Sequence, residues 1–263
     1  MFIETMELGG IPFALLDRKE TARLIVALSV ARRRNTRPWI ATSANGQVIS
    51  VCAKDKTARS HLREADIISC DGQPIVTLSR LIGPVPLPER VATTDLIHDI
   101  CERASETPFT LFVLGSTDPE NAKAIKNLVR KYPALNVVGR SHGYHTSQGW
   151  DEVVRQINAI GPDLLLVSLG VPQEQAFYSK YASMLPAVGV IKTAGGLLNF
   201  LSGSVRRAPT WLQNIGLEWA FRVVLEPRRL FARYAITNPH ALYLILSRTP
   251  VHSRSELKFA NAK

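Results

Sequence analysis

Cysteine is scarce in this chain of 263 residues, which has only Cys52, Cys70 and Cys101. They are widely spaced and form no Cys-x-x-Cys pair, so we predict reduced thiols in the core of a cytoplasmic protein rather than a disulfide framework. No apolar run approaches the roughly 18 residues that a membrane span needs. The first residues, MFIETMELGG, are acidic where a signal peptide is basic, so any membrane contact is expected to be peripheral.

Nucleotide-binding fingerprints are also missing. Neither Gly-x-Gly-x-x-Gly nor Gly-x-x-x-x-Gly-Lys-[Ser/Thr] occurs, which disfavours a nicotinamide-dependent oxidoreductase and a nucleotide hydrolase. No Asp-x-Asp pair is present to hold a divalent metal. His142 and His145 have no cluster of Cys, Asp or Glu to complete a metal site, so we assign them to a loop or a substrate contact. We predict no metal site and no cofactor, and expect arginines and helix N-termini to meet the charge of a bound diphosphate.

Basic residues are abundant and concentrated. The formal net charge of +10 favours acidic partners, namely nucleic acid, anionic lipid or phosphorylated substrates. Residues 206–234 hold six arginines against two glutamates, with no lysine. The planar fork of arginine suits phosphate and carboxylate. We therefore predict an anion-binding segment, against the plainer alternative of a solvated helical face over a core.

Apolar runs alternate with helical patterns through most of the chain. The predicted strands lie within 39–46, 65–72, 110–115, 136–139, 163–170 and 188–196. Near-continuous apolar strands between helices indicate a parallel sheet that is covered on both faces. The predicted fold class is therefore α/β, a Rossmann-like parallel sheet with helices on both faces. Asp118 before Pro119 predicts an N-cap and the start of a helix.

The alternation stops near residues 203–206. We predict an α/β catalytic domain at 1–204 and an arginine-rich helical C-terminal appendage at 205–263 that associates with a membrane. Short amphipathic helices with basic faces suit an anionic lipid surface.

Within that appendage, apolar residues recur at four-residue steps and predict one helical stripe. They are Trp211, Ile215, Trp219 and Val223. Pro227 is expected to begin another helix, and Asn238-Pro239 to break the chain again.

Polar residues and glycines follow the predicted strands at the carboxyl edge of the sheet, where open α/β folds bind ligands. Those expected to meet in one crevice are Thr42, Asn45, Asp71, Gly115, Gly170 and Gly195. Asp71-Gly72 by itself is more typical of a turn. At this edge, however, the Asp71 carboxylate can act as a general base.

A series of short blocks resembles one known family. In order they are Thr42-Ser43-Ala44-Asn45, Asp71-Gly72, Glu89-Arg90-Val91, Thr94-Asp95-Leu96, Val113-Leu114-Gly115, Gly143-Tyr144, Pro162-Asp163, Gly170-Val171-Pro172, Arg207-Ala208-Pro209, Gly216-Leu217-Glu218-Trp219 and Glu226-Pro227-Arg228-Arg229. Together they resemble the WecG/TagA/CpsF family of bacterial glycosyltransferases. The likeness covers roughly residues 8 to 240.

The resemblance implies an inverting, metal-independent glycosyltransferase. Its donor would be a UDP-sugar, and its acceptor a polyprenyl-diphosphate-linked saccharide in exopolysaccharide or cell-envelope polymer synthesis. The protein would lie in the cytoplasm, attached peripherally to the anionic inner face of the cell membrane. Self-association is left open. The alternative function is a basic α/β protein that binds nucleic acid, which is disfavoured because no nucleic-acid motif appears.

The resemblance also implies roles for individual residues. Asp71 matches the general base, Thr42 and Asn45 match the pocket beside it, and Arg207 matches a catalytic arginine. The implied substrate-binding residues are Arg90, Asp95, Gly115, Ser116, Gly143, Tyr144, Gly170, Pro172, Glu174, Gln175, Gly195, Gly196 and Arg222. The implied contacts to membrane or lipid diphosphate are Arg228, Arg229 and Arg233. Two positions depart from the family pattern, which has glutamine where this chain has Glu174 and aspartate where it has Asn199.

Overall fold

The computed structural model describes residues 2–31, 36–82, 85–250 and 254–258. Its strands are β1 Phe2–Leu8, β2 Ile11–Ala14, β3 Trp39–Ala44, β4 Ile67–Cys70, β5 Thr110–Gly115, β6 Asn136–Ser141, β7 Leu164–Ser168, β8 Val190–Thr193 and β9 Arg254–Lys258. Its helices are α1 Arg18–Ala31, α2 Gly46–Lys54, α3 Lys56–Arg63, α4 Gln73–Ile82, α5 Thr93–Ala104, α6 Asp118–Lys131, α7 Ser147–Ile160, α8 Gln173–Tyr181, α9 Leu197–Leu201, α10 Thr210–Asn214, α11 Glu218–Leu225 and α12 Pro227–Arg248.

Six strands form a parallel sheet in the order β4-β3-β8-β7-β5-β6. Successive side chains alternate between two apolar clusters, one on each face. Leu165 belongs to one cluster, for example, and Leu164 and Leu166 belong to the other. Strands buried on both faces have no solvent side, which is why they appear in the sequence as continuous apolar runs. The predicted α/β fold is confirmed.

Helix α6 begins one residue away from the predicted cap. Thr117 has the extended backbone of an N-cap, and Asp118 and Pro119 already lie in the first turn. The prediction of Asp118 as N-cap is therefore wrong by one residue. A negative side chain in the first turn still favours the helix N-terminus.

A second, three-stranded sheet in the order β2-β1-β9 is antiparallel. It pairs the beginning of the described chain with its last described segment. In β1, Ile3, Thr5, Met6 and Leu8 are buried and Glu4 is exposed, so side chains on both faces of the strand are covered over part of its length. This sheet was not among the elements predicted from the sequence.

The predicted stripe from Trp211 to Val223 does not lie on one helix. Helix α10 ends at Asn214, and α11 begins at Glu218. Gly216 lies between them with a φ of 77°, a conformation that favours glycine and ends helices. The single-helix prediction is therefore wrong.

The predicted break at Asn238-Pro239 is also wrong, because α12 continues through Pro239. Ala241, Leu244 and Ile245 are buried in the same cluster as Val48 of α2. Burial of these side chains offsets the backbone hydrogen bond that proline cannot donate. The division at residue 204 stays a prediction, although α12 shares the main core. None of the helices in the described ranges is long and apolar enough to cross a membrane.

Candidate active site

A cavity of about 1590 Å³ opens at the carboxyl ends of the parallel strands. Residues that follow the strands form its floor, and residues of α11 and α12 contribute to its wall. The predicted site residues that line it are Asn45, Asp71, Arg90, Ser116, Gly143, Tyr144, Gly170, Glu174, Gly195, Gly196, Arg222, Arg229 and Arg233. Those outside its lining are Thr42, Asp95, Gly115, Pro172, Gln175, Arg207 and Arg228.

Asp71 follows β4 and faces the cavity with its side chain 24% exposed. Its Oδ1 accepts a hydrogen bond from Nε of Arg90 at 3.1 Å and forms an ion pair with Nη2 of the same guanidinium at 3.1 Å, and the backbone N–H of Thr93 also bonds the carboxylate. Burial raises the pKa of Asp71 above its ordinary value. The Arg90 charge opposes this rise and Glu218 reinforces it. Asp71 is therefore a more basic carboxylate than one in water.

Arg90 connects Asp71 to residues 205–250, which carry α10, α11 and α12 and are called the C-terminal segment below. Its Nη1 donates to Oε2 of Glu218 at 2.8 Å. Burial alone would lower the pKa of Arg90, but the charges of Asp71 and Glu218 more than offset it and raise that pKa. Arg90 is thus a permanent cation held between two carboxylates. Glu218 was not among the predicted site residues, although it lies within the matched block Gly216–Trp219.

Asn45 and Thr42 have structural contacts beside Asp71. Oδ1 of Asn45 accepts the N–H groups of Gln47 and Val48 and so caps α2. The Thr42 hydroxyl is fully buried and lies 2.7 Å from the hydroxyl of Thr193 on the neighbouring strand. Thr42 therefore contacts the sheet rather than the cavity.

Arg207 does not reach the cavity wall, because Asp95 binds its guanidinium. Two bonds, of 2.5 and 2.6 Å, join Nη1 and Nη2 to the two carboxylate oxygens. Burial would raise the pKa of Asp95, but the bonds from Arg207 outweigh it and hold that pKa below its ordinary value. In this conformation the pair attaches the beginning of the C-terminal segment to α5.

Several glycines at the strand ends are not open anion donors. The N–H of Gly143 bonds the carbonyl of Ser116 at 2.8 Å, and the N–H of Gly195 bonds Oε2 of Glu174 at 2.9 Å. Gly115 has a φ of 130°, and a Cβ there would lie 2.1 Å from the carbonyl oxygen of Ser168. Glycine is therefore required at position 115, where β5 passes β7, and the N–H groups of Gly143 and Gly195 are already bonded within the protein.

Glu174 interacts electrostatically with the buried cation of Lys192, which was not among the predicted site residues. The two side chains are buried, with Glu174 3% and Lys192 1% exposed. Burial raises the pKa of Glu174 to about 7 and lowers that of Lys192 to about 8, while each charge partly stabilises the other. Lys192 also donates to the Ser43 hydroxyl at 3.0 Å. The sequence signal that could have identified this buried cation is a lysine inside the otherwise apolar strand Val190–Thr193.

The residues around Glu174 also differ from their predicted roles. Gln175 is 2% exposed, and its amide has no hydrogen-bond partner among the described residues. Pro172 is the N-cap of α8. Asn199, the second departure from the family pattern, does line the cavity, where its Oδ1 accepts from the Ser116 hydroxyl at 3.0 Å.

Tyr144 stands at the cavity rim on the loop that carries the two histidines. Its side chain is 73% exposed, and its N–H bonds Nδ1 of His142 at 3.1 Å. The rings of His142 and His145 stack at 4.0 Å. The described residues contain no group of three or more His, Cys, Asp or Glu that could hold a metal.

Three arginines of the C-terminal segment line the outer wall. The Arg222 guanidinium lies 5.3 Å from the Phe200 ring centre, and that of Arg233 lies 4.6 Å from the Tyr234 ring centre. Arg229 pairs with Glu226 at 2.5 Å. Arg228 is exposed and faces away from the cavity lining. The wall is therefore cationic and partly aromatic.

Comparisons with known proteins identify the family of this chain. The family model described as "Glycosyl transferase WecG/TagA/CpsF family" matches residues 6–255. A Bacillus spizizenii protein named N-acetylglucosaminyldiphosphoundecaprenol N-acetyl-beta-D-mannosaminyltransferase is 33% identical over 190 residues, which are 71% of this chain and 71% of the relative. A Bacillus subtilis protein of the same name is 28% identical over 203 residues, 75% of this chain and 78% of the relative. This chain therefore belongs to the WecG/TagA/CpsF family and is a glycosyltransferase.

Proposed function

We propose that this protein transfers a sugar from a UDP-sugar to a polyprenyl-diphosphate-linked saccharide, with inversion and without a metal, in exopolysaccharide or cell-envelope polymer synthesis. The names of the two relatives describe transfer of N-acetylmannosamine to a lipid-diphosphate-linked N-acetylglucosamine. The single observation that carries the mechanism is the carboxylate of Asp71, which is desolvated and faces a large cavity at the binding edge of the sheet.

Asp71 is proposed as the general base. Its carboxylate accepts the proton of the acceptor hydroxyl while that oxygen bonds to the anomeric carbon and the bond from that carbon to the UDP oxygen breaks. Attack from the face opposite to UDP inverts the anomeric centre. The raised pKa of Asp71 supports this role, because a stronger base accepts the proton more readily.

Negative charge develops on the departing UDP oxygen, and the arginines in the wall of the cavity would stabilise it. Arg222 and Arg233 line the cavity, and no ion pair joins either to a carboxylate of the described residues. Guanidinium groups placed where charge develops stabilise a transition state without reorganisation. This set of cations supports metal-independent departure of the diphosphate.

The cavity is large enough for two substrates. A pocket for one drug-sized ligand has a volume of about 300–1,000 Å³, whereas this cavity has about 1590 Å³. We propose that the donor lies near Tyr144 and Asn199 and that the acceptor approaches between Asp71 and the helices of the C-terminal segment.

The surface of that segment supports peripheral attachment to the anionic inner face of the cell membrane. Trp211, Val224 and Phe231 expose 64%, 78% and 65% of their surface. Arg228 and Arg229 are exposed beside them. Apolar and aromatic side chains beside arginines suit the boundary between lipid headgroups and acyl chains. A lipid-linked acceptor would reach the cavity from this surface.

A transfer assay with a defined acceptor tests the proposal. The full chain is incubated with a panel of UDP-sugars and polyprenyl-diphosphate-linked N-acetylglucosamine, with and without EDTA, and the product lipids are identified by mass spectrometry and NMR. We expect transfer that EDTA does not abolish and a product of inverted configuration. Asp71→Asn should lower turnover roughly 100- to 10,000-fold with the fold retained. The exposed Asp151→Asn variant serves as control. Unchanged turnover in Asp71→Asn would place the base elsewhere.

A further inference from the structure

Glu218 is the one carboxylate that the C-terminal segment places on the Asp71–Arg90 pair within the described residues. It is the first residue of α11, and its side chain is only 12% exposed. Oε2 of Glu218 accepts from Nη1 of Arg90, while Nε of the same guanidinium donates to Oδ1 of Asp71 and Nη2 lies 3.1 Å from that oxygen. Two carboxylates thus bind opposite parts of one rigid, planar cation.

We infer that Glu218 is a positioning residue for the base. By holding Arg90, it orients the Asp71 carboxyl toward the acceptor hydroxyl. The base is therefore correctly oriented only when α11 lies beside the cavity. The inference rests on the proposed function. Glu218 itself touches Arg90, not the reacting atoms.

Two contacts fix where α11 begins. Gly216 precedes the helix with a φ of 77°, and a Cβ there would lie 3.4 Å from the side chain of Gln73, two residues after Asp71. The Arg207–Asp95 pair attaches the earlier part of the segment to α5. The turn before α11 is therefore packed against the beginning of α4, which brings Glu218 to Arg90.

The electrostatic effect of Glu218 acts in the direction that helps a base. Its negative charge raises the pKa of Asp71, while Arg90 lowers it. Other ionisable groups that interact electrostatically with Asp71 include Lys192 of β8 and the thiol of Cys70 on β4. Neither is on the C-terminal segment, so Glu218 is the contact through which the position of that segment affects the base.

Replacement of the carboxylate by an amide tests this role. In Glu218→Gln, Asp71 loses a repelling neighbour, so its pKa falls and the acid limb of the kcat profile moves to lower pH by about half a unit to one unit. Arg90 stays in contact with Asp71, but its weaker bond to the amide orients it less firmly, so we expect plateau kcat to fall roughly 10-fold with the donor KM nearly unchanged. Glu218→Asp, which keeps the charge, should restore part of the rate. Glu152→Gln removes one carboxylate from an exposed surface pair with Arg155 and should leave the profile unchanged.

A double-mutant cycle separates positioning from general stability. In an Asp71→Asn background there is no base to orient, so adding Glu218→Gln should cause little further loss of turnover. An equal loss in both backgrounds, or an unshifted acid limb with full kcat in Glu218→Gln, would overturn the inference. If Glu218→Gln melts early, Glu218→Asp decides: an acid limb at the wild-type pH with a kcat only partly restored supports the inference, whereas a fully wild-type kcat would overturn it, because the shorter side chain cannot hold Arg90 in the same place. Full turnover in Asp71→Asn would instead overturn the proposed base itself.

Discussion

Removing either partner of the Arg207–Asp95 pair tests whether Arg207 attaches the C-terminal segment or contacts substrate. The side chains are 28% and 30% exposed, so the pair is partly desolvated and joined by two charged hydrogen bonds. Loss of one partner should cost about 1.5–3 kcal/mol, below the cost for a fully buried pair. Arg207→Ala should lie at the lower end, because Arg18 remains 4.0 Å from Asp95.

The contribution of the Arg207–Asp95 pair to the free energy of unfolding depends on pH. The folded-state pKa of Asp95 is held below its ordinary value. Its contribution to stability is therefore fully present above the pKa of the unfolded chain, about 3.9, and is lost as the pH falls through the lower folded-state value. At pH 7 the whole contribution is present, and the difference between wild type and Asp95→Ala should shrink in acid.

Thermal and urea unfolding at pH 7 provide the assay, together with transfer rates for Arg207→Ala, Asp95→Ala and the double variant. Each single variant should melt about 3–12 °C lower. The double variant should lose less than the sum of the two, because both singles break the same contact. Arg155→Ala, which breaks an exposed pair, should change stability by less than about 0.5 kcal/mol. Asp95→Ala could instead keep the stability and transfer rate of wild type while Arg207→Ala folds but transfers no sugar. That result would refute the role of Arg207 in attaching the C-terminal segment and would favour a contact between Arg207 and substrate.

Two further results are expected. Replacing Arg228, Arg229 and Arg233 together by Gln should weaken binding to anionic liposomes roughly 100-fold, because each charge contributes about 1 kcal/mol. Binding to neutral liposomes should not change. Undiminished binding to anionic liposomes in a sedimentation assay would show that these arginines do not contact lipid. Burial raises the pKa of Glu174 to about 7, above the unfolded value, so its contribution to stability is present below about pH 4.5 and lost as the pH rises through 7. Glu174→Gln should flatten that decline in urea unfolding, and a pH dependence like that of wild type would contradict this account.

The sheet and the position of Asp71 could be predicted because both depend on local patterns. A strand covered on two faces must be apolar along its whole length, and β5 and β7 are. The carboxyl end of each parallel strand then lies at one edge, so the residue after β4 is brought to the cavity. No long-range contact had to be known in advance.

Pairings between distant residues could not be predicted in this way. Arg207 was assigned to catalysis from its motif, yet its partner in the structure lies 112 positions earlier, at Asp95. Glu218 reaches Arg90 across 128 positions. The course of α12 through Pro239 likewise depends on packing against α2, which local preferences do not contain.

The burial of Ala241, Leu244 and Ile245 has a practical consequence for truncation experiments. A chain ended at residue 204 would lose these three side chains, and their apolar neighbours Val48 and Ile49 on α2 would be uncovered. Leucine or isoleucine contributes about 1.5–3 kcal/mol when buried, and a typical protein has only about 5–15 kcal/mol of stability in total. Inactivity of such a shortened protein would therefore report collapse of the fold, whereas single replacements on the solvent side of α10 and α11 leave the interior intact.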